Sequence, residues 1–232
     1  MIVIGVTGGI AAYKMCSVVS YLTSKQYDVH VVMTESAKKF VGPITFASLS
    51  HNPVIDETAE WTPDGEINHI DYSKCKLFVI APATANTIAK MAHGIADNVL
   101  TSLYLAHPKQ ALVFPAMNTN MYESRITQDN LSTIRLLNRD IVIEPDTGKL
   151  ACGDVGKGKF PSTQKVCYLI EKHYITQNII VDKDDPFDDS VFGFKREEKL
   201  AFLRWVVDTK VKLTHSNWKE HYDTFNQHRE QP

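Results

Sequence analysis

The chain alternates short apolar runs with longer stretches in which apolar positions recur every third or fourth residue. Ile2-Val3-Ile4-Gly5-Val6, Val29-His30-Val31-Val32-Met33, Lys76-Leu77-Phe78-Val79-Ile80-Ala81, Ala111-Leu112-Val113-Phe114 and Ile141-Val142-Ile143 are the short runs, rich in β-branched residues. Lacking a strict apolar–polar alternation, they fit strands buried on both faces of a parallel sheet. Between Ile10 and Ser24 the residues Ala11, Met15, Val18, Val19 and Leu22 form one helical stripe. Similar patterns cover Thr87 to His93, Asn98 to Ala106 and Thr127 to Asn138. Strands and helices taken in turn predict an α/β, Rossmann-like three-layer sandwich with a parallel sheet and right-handed crossovers.

In such sheets ligands sit beyond the carboxyl ends of the strands, so the residues found there are the first candidates for chemistry. Gly5-Val6-Thr7-Gly8-Gly9-Ile10 joins the first strand to a helix, where glycines permit close backbone approach and helix amides attract phosphate. A tight turn alone would also explain it. The spacing is not the dinucleotide fingerprint, and no ribose-binding acid follows the second strand. Thr34-Glu35-Ser36 adds hydroxyls at the same sheet edge, which favours a mononucleotide phosphate. Ala81-Pro82-Ala83-Thr84-Ala85-Asn86-Thr87 ends the third strand with small residues that would let a flat ring lie against the backbone. Thr84, Asn86 and Thr87 are equally good helix caps, as are Asp97 and Asn98. Pro115-Ala116-Met117-Asn118, with Met121, follows the fourth strand, where an Asn often only makes a turn.

Two further segments carry reactive side chains. His69 sits between Ile67 and Ile70, a setting that more often holds a structural histidine than a catalyst. Gly148 to Gly158 reads as an irregular, glycine-rich loop, a connector or a lid. It contains Cys152, flanked by Ala151, Gly153 and Asp154. Free cysteine is usually buried, so a thiol in an exposed loop beside lysines is a candidate reactive group.

Composition narrows the classes. The 232 residues carry 25 Lys and Arg against 27 Asp and Glu, a net charge of -2 that argues against nucleic-acid binding. The 44% hydrophobic content suffices for a core. Four widely spaced cysteines with no Cys-x-x-Cys pair argue against a metal site or a disulfide framework and suit a reducing compartment. No apolar stretch approaches the ~20 residues needed to span a bilayer, and no signal peptide is visible. A cytoplasmic protein without membrane association is expected. The character changes after Ile175. An acidic, linker-like stretch from Asp182 to Asp189 precedes a plausible helix from Arg196 to Val211 and a polar tail from His215 to Pro232. The expected organisation is therefore a domain over 1–175 and an extension of unassigned role over 176–232.

Several segments, in family order, resemble the flavin-dependent cysteine decarboxylases. They are Gly8-Gly9-Ile10-Ala11-Ala12-Tyr13-Lys14, Met33-Thr34-Glu35-Ser36-Ala37 with Phe40, Asn68-His69-Ile70, Ala81 to Thr87, Gly94-Ile95-Ala96-Asp97-Asn98, Pro115-Ala116-Met117-Asn118 with Met121, and Ala151-Cys152-Gly153-Asp154. The resemblance covers about residues 1–173. It implies a flavodoxin-like fold and FMN as cofactor. Gly9, Ile10 and Ser36 would hold the phosphate, Phe40 would lie near the flavin, and Thr84, Ala85, Asn86, Thr87 and Met117 would line the ring. It further implies His69, Asn118 and Cys152 as the catalytic set. His69 would serve as base or orienter, Asn118 would hold the substrate carboxylate, and Cys152 would sit on a flap over the substrate. Met121, Ala151, Gly153 and Asp154 would contact a small-molecule substrate. The Ala-Cys-Gly-Asp flap marks the coenzyme A branch, which acts on 4'-phosphopantothenoylcysteine through thioaldehyde and enethiol intermediates. Relatives acting on a peptide's C-terminal cysteine stop at the enethiol. Family members are trimers or assemblies of trimers, so a homotrimer is expected.

Two departures accompany the match. Many members of that branch read Gly-x-Gly-Arg-Met after the flap, whereas this chain reads Gly156-Lys157-Gly158-Lys159-Phe160. Lysine keeps the charge without the bidentate fork. Bacterial members are often fused to a synthetase domain, and a stand-alone decarboxylase is expected here. A competing class remains open: some eukaryotic relatives are non-catalytic phosphatase regulators with acidic tails, and the Asp182 to Asp189 cluster fits that class.

Overall fold

The computed structural model describes residues 1–57, 68–136, 140–151, 153–180, 202, 205 and 218–229. Five parallel strands form the central sheet in the order β2-β1-β3-β4-β5. They are β1 (Ile2–Val6), β2 (Val29–Met33), β3 (Leu77–Ala83), β4 (Ala111–Pro115) and β5 (Asp140–Val142). Every residue of β1, β3 and β4 is buried, which is why these strands read as unbroken apolar runs. Ile4 pairs with Val31 on one side and with Val79 on the other. This order is the flavodoxin-like one, with its topological switch between β1 and β3.

Helix α1 (Ala12–Ser24) buries Ala12, Met15, Val18, Val19 and Leu22, a stripe that the sequence foreshadowed except that Ala12 is a helical member and Ala11 its N-cap. Burying each of the larger aliphatic side chains contributes about 1.5–3 kcal/mol. The helix packs with α3 (Pro43–Ser50) and with β2 and β3. The opposite side of the sheet carries a cluster in which Val3, Phe78, Ile80 and Val113 meet Met91, Leu100, Leu103, Leu131 and Ile134. Those partners come from α5 (Ala85–His93), α6 (Val99–Ala106) and α8 (Arg125–Leu136). Gly5 lies close under this packing: a Cβ there would come within 2.9 Å of Leu100 Cδ1, so the Leu100 side chain would have to shift. At the far edge, the buried Asp140 carboxylate accepts from the Tyr104 hydroxyl and from Ala111 N (3.1 Å), tying β5 to α6 and β4.

Short helices occupy the strand ends: α2 (Glu35–Lys38) after β2, α4 (Asn68–Ser73) before β3 and α7 (Thr119–Glu123) after β4. The segment expected to be an irregular loop is instead an antiparallel hairpin of β6 (Asp146–Lys149) and β7 (Val155–Lys159). Its glycines misled the loop reading. Gly148 (φ 157°) and Gly158 (φ 127°) hold backbone angles that other residues rarely adopt, inside paired strands.

The chain divides into compact units over Met1–Glu171 and Lys172–Pro232. Helix α9 (Thr163–Ile180) runs through that division. In the second unit, α10 (Trp218–Arg229) forms a helix in what reads as a polar tail. The rings of Phe202, Trp205, Tyr222 and Phe225 pack together there, with Phe202 at 5.1 Å from Tyr222 and 5.6 Å from Phe225 between centroids. The acidic stretch from Asp182 to Asp189 lies outside the described residues, as does most of the expected helix from Arg196 to Val211.

Candidate active site

The carboxyl ends of β1, β2 and β3 open into a cleft of about 610 Å³ lined by Gly8, Ser36, Thr84, Thr87, Lys90 and Met121 among others. A ligand pocket typically spans ~300–1,000 Å³, so the cleft is large enough for a mononucleotide.

Its walls follow from one repeated device. Where a strand ends and a helix begins, the first helical N–H groups lack partners, and a short polar side chain supplies one. Thr34 caps α2 through Ala37 N (3.3 Å), and Thr84 caps α5 through Thr87 N (3.4 Å). Asn98 caps α6 through Thr101 N (3.0 Å) in a reciprocal capping box. Asn118 caps α7, its Oδ1 accepting from Met121 N at 2.8 Å. The sequence left open whether these residues cap or bind ligands, and capping occupies their acceptors. Ser36 and Asn86 differ: neither side chain makes a hydrogen bond among the described residues. The Asn118 amide nitrogen is also uncommitted there, so its N–H groups remain available to an anion.

Thr7, singled out only as part of a turn, proves to be the junction of the site. Its buried hydroxyl donates to Pro82 O (2.6 Å) and accepts from Thr84 N (3.1 Å), locking the end of β1 to the start of α5. Gly8 fits against α2 so closely that a Cβ would stand 2.4 Å from Ser36 Cβ and 2.9 Å from its carbonyl carbon. Gly9 precedes α1, whose Ala12 N donates to Gly9 O (2.9 Å). Ile10 and Phe40 are exposed and lie outside the described lining of the cleft, and Ala85 is the first residue of α5.

Sequence reasoning missed two residues of the lining. Lys90 stands one turn after Thr87 on α5 and pairs with Asp97 at 2.6 Å, and that contact holds the Asp97 carboxyl below its ordinary range. The i, i+3 spacing from Thr87 was the available signal. Glu57 accepts from Val99 N (3.2 Å) at the head of α6, a contact that no local pattern announces.

The hairpin meets this site at the Pro115-to-Asn118 turn. Met117 N donates to Gly158 O at 3.1 Å, and a Cβ on Gly158 would stand 2.4 Å from Met117 O. A Cβ on Gly156 would meet Thr119 Oγ1 at 2.2 Å. Thus β7 lies on the turn that carries Met117 and Asn118. The tip of the hairpin exposes Ala151, Gly153 and Asp154, and Cys152 between them lies outside the described residues. His69 falls within α4, the helix that leads into β3. The remaining cysteines are unsuited to thiolate chemistry: burial pushes the Cys75 thiol up to about 12 and that of Cys167 up to about 11, and it raises Cys16 as well.

Residues 1–174 match the model of the Flavoprotein family. The chain belongs to that family. It is 43% identical over 174 residues to a probable phosphopantothenoylcysteine decarboxylase of Streptococcus mutans, covering 74% of this chain and 97% of that protein. It is also 43% identical over 172 residues to the coenzyme A biosynthesis bifunctional protein CoaBC of Bacillus subtilis, covering 73% of this chain and 42% of that protein. The chain thus spans less than half the length of such bifunctional relatives. Among solved structures it resembles a cysteine-to-serine variant of PPC decarboxylase complexed with pantothenoylaminoethenethiol (TM-score 0.67, 27% identity, 73% of this chain and 95% of that one). The FMN binding protein AtHal3 is similarly close (TM-score 0.65, 27% identity, 73% and 94%). The flavodoxin-like fold expected from the sequence is the fold found. Among the described residues no helix is long and apolar enough to cross a membrane, and no His, Cys, Asp and Glu cluster could hold a metal.

Proposed function

We propose that this protein is an FMN-dependent decarboxylase that converts 4'-phosphopantothenoylcysteine into 4'-phosphopantetheine for coenzyme A biosynthesis. The observation that carries this reading is the docking of β7 on the Met117–Asn118 turn. It seats β7, the strand that follows Ala151-Cys152-Gly153-Asp154 in sequence, on the turn that carries the amide suited to a carboxylate. The family membership and the streptococcal relative support the same reaction.

The cleft fits FMN on structural grounds. Gly8 and Gly9 leave backbone bare at the head of a 13-residue helix, where N–H groups favour a phosphate. Ser36 offers an uncommitted hydroxyl beside them. Gly9, Ile10 and Ser36 would hold the phosphate, and Phe40 would lie near the flavin. Thr84, Ala85, Asn86, Thr87 and Met117 would line the ring. When bound, FMN accepts the two electrons that turn the cysteinyl CH2–SH into a thioaldehyde, and gives them back after carbon dioxide has left.

The residues of the chain do the rest. Asn118 keeps its Oδ1 on the helix cap and turns its N–H groups to the substrate carboxylate, fixing the bond to be broken. His69 serves as base or orienter toward the thiol. Cys152 donates the proton that completes the saturated product. Met121, Ala151, Gly153 and Asp154 contact the substrate and exclude water. The reaction consumes no external reductant, because the electrons removed return to the same carbon skeleton. By the same reading the working form is a homotrimer or an assembly of trimers in the cytoplasm.

The test is to purify the protein, record its visible spectrum, and follow 4'-phosphopantothenoylcysteine by mass. A yellow protein that releases carbon dioxide and forms 4'-phosphopantetheine supports the assignment. A product that stops at the enethiol in the unmodified protein moves the assignment to a peptide-cysteine type of decarboxylase. A colourless protein that FMN cannot reconstitute overturns it.

A further inference from the structure

The cations around the β6–β7 hairpin fall into two groups. Lys157 of β7 pairs with Glu144 at 2.7 Å, and Glu144 also accepts from the Tyr122 hydroxyl on α7 at 2.8 Å and from Arg135 on α8 at 2.5 Å. Lys165, in the first turn of α9, pairs with Asp146 of β6 at 2.6 Å. Lys14 and Lys159 are different: among the described residues neither has a carboxylate within ion-pair distance. Yet they lie near one another. Lys14, on α1, donates to Phe160 O at 3.3 Å and stands 5.7 Å from the centroid of the Phe160 ring. Lys159 precedes Phe160, sits opposite Asp146 in the hairpin register, and has its ammonium 3.1 Å from where a Cβ on Gly148 would stand. Burial, followed by the charge of Lys159, lowers the Lys14 pKa from its ordinary 10.5, and Asp146 opposes that shift. Phe160 is itself buried, 6.1 Å from Phe114 between ring centroids, so the carbonyl that orients Lys14 is fixed by the core.

We propose that Lys14 and Lys159 form a phosphomonoester subsite that takes the phosphate at the far end of the substrate and sets specificity for a phosphorylated compound over an unphosphorylated one. The inference rests on the function proposed above. Two like charges held near one another, one of them partly out of water, repel, and an anion placed on both removes that cost. Phe160 O takes one of the three Lys14 donors, which leaves two there and three on Lys159. A phosphomonoester brings three terminal oxygens and a charge of about -1.5 to -2 at neutral pH, which suits that set of donors. The location fits as well. Met117 N and Gly158 O bond β7 to the turn that carries Asn118, and Lys159 is the next residue. The two ammoniums are therefore anchored at residues 159 and 160, no more than about 8 Å of chain beyond that bond. From the cysteinyl Cα of 4'-phosphopantothenoylcysteine to its phosphorus is about 13 Å in the extended form. A substrate whose carboxylate is held at Asn118 thus has the reach to set its phosphate on the lysines.

The test uses the full-length FMN-loaded protein and its Lys14→Met and Lys159→Met variants, in which methionine keeps the apolar stem of the side chain. Calorimetric titration with 4'-phosphopantetheine and with pantetheine needs no turnover, and the ratio of the two affinities reads the phosphate alone. The unmodified protein should prefer the phosphorylated compound about tenfold or more. Each variant should reduce that preference about fivefold to tenfold, and Lys159→Arg, which keeps the charge, should retain most of it. No preference in the unmodified protein, or a preference that both methionine variants retain, overturns the subsite. Loss of flavin colour from a variant that melts like the unmodified protein assigns the lysine to the cofactor's phosphate and overturns it too. Carbon dioxide release from 4'-phosphopantothenoylcysteine is followed separately. An unmodified protein that shows the lysine-dependent preference but releases none overturns the proposed reaction and keeps the phosphomonoester site.

Discussion

At the β1–β3 junction the site is held by buried hydroxyl and backbone contacts: Thr7 on Pro82 O and Thr84 N, and Gly8 pressed on Ser36. At β7 it is held by half-exposed charges around Glu144 and by glycines laid on Met117 and Thr119. The difference teaches how one site can be rigid where it would seat a cofactor and yieldable where it would admit a substrate. Buried hydrogen bonds in a low dielectric resist opening, whereas exposed ion pairs contribute little each and are screened by salt.

Substitutions at the two glycines test this contrast most severely. Gly8→Ala places a Cβ against Ser36 backbone, which cannot move without shifting α2, so a loss of about 2–3 kcal/mol and of retained flavin colour is expected. Gly158→Ala meets Met117 O and a φ of 127°, so it should undock the hairpin while the protein stays yellow. Urea midpoints and the visible spectrum check both, and a colourless Gly158→Ala would erase the distinction between the walls. Thr7→Val keeps the shape but strands Thr84 N, with an expected cost of about 1–3 kcal/mol in urea unfolding.

Asn118 sharpens the contrast because it serves both sides. Asn118→Ala should lose the α7 cap, about 1 kcal/mol, together with turnover. Asn118→Asp restores the acceptor but replaces the N–H donors with a charge that repels a carboxylate. Melting should recover and turnover should not. Recovery of both would reduce Asn118 to a cap. Smaller again is the pH response of the hairpin. The carboxyl of Glu144 is depressed below its ordinary 4.5, so its contribution is full above that value and lost as pH falls through the lower folded one. Lys157 is raised above 10.5, so its contribution is full below that value and lost as pH rises through the higher folded one. Protection factors of residues 146–158, taken relative to intrinsic amide exchange at each pH, should therefore stay flat across the neutral range and fall at both extremes. At ~1 M salt they should fall by less than about twofold.

The cysteines give the smallest perturbation and a separate check. Cys75 and Cys167 are buried and raised to about 12 and about 11, so iodoacetamide near neutral pH should leave them unmodified. Peptide masses should show Cys152 as the modified thiol. Labelling of Cys75 instead would contradict its burial.

Much of the fold was legible in the chain. All five strands of the sheet announced themselves as short apolar runs, most plainly β1, β3 and β4, because a parallel strand covered on both faces has no polar side to interrupt it. The α1 stripe was equally plain. The hairpin was not. Its strands are mostly glycine and lysine, and what makes them strands is their pairing and the surface of α7 beneath them. Helix α10 was hidden for a related reason: its polar residues mask aromatics that pack on Phe202, which is distant in sequence.

The sequence by itself determined the α/β class, the parallel sheet, and the set of polar residues at the strand ends, because burial and capping are local demands written in residue type. Only the tertiary structure decided how those residues are used. It showed Thr7 bridging two strands, Asn118 committing its oxygen and sparing its nitrogen, Lys90 pairing with Asp97, and Glu144 joining α7, α8 and β7. The Thr7 and Glu144 contacts depend on partners far apart in the chain, which no local pattern encodes, whereas Asn118 and Lys90 use near neighbours that the fold selects from several local options.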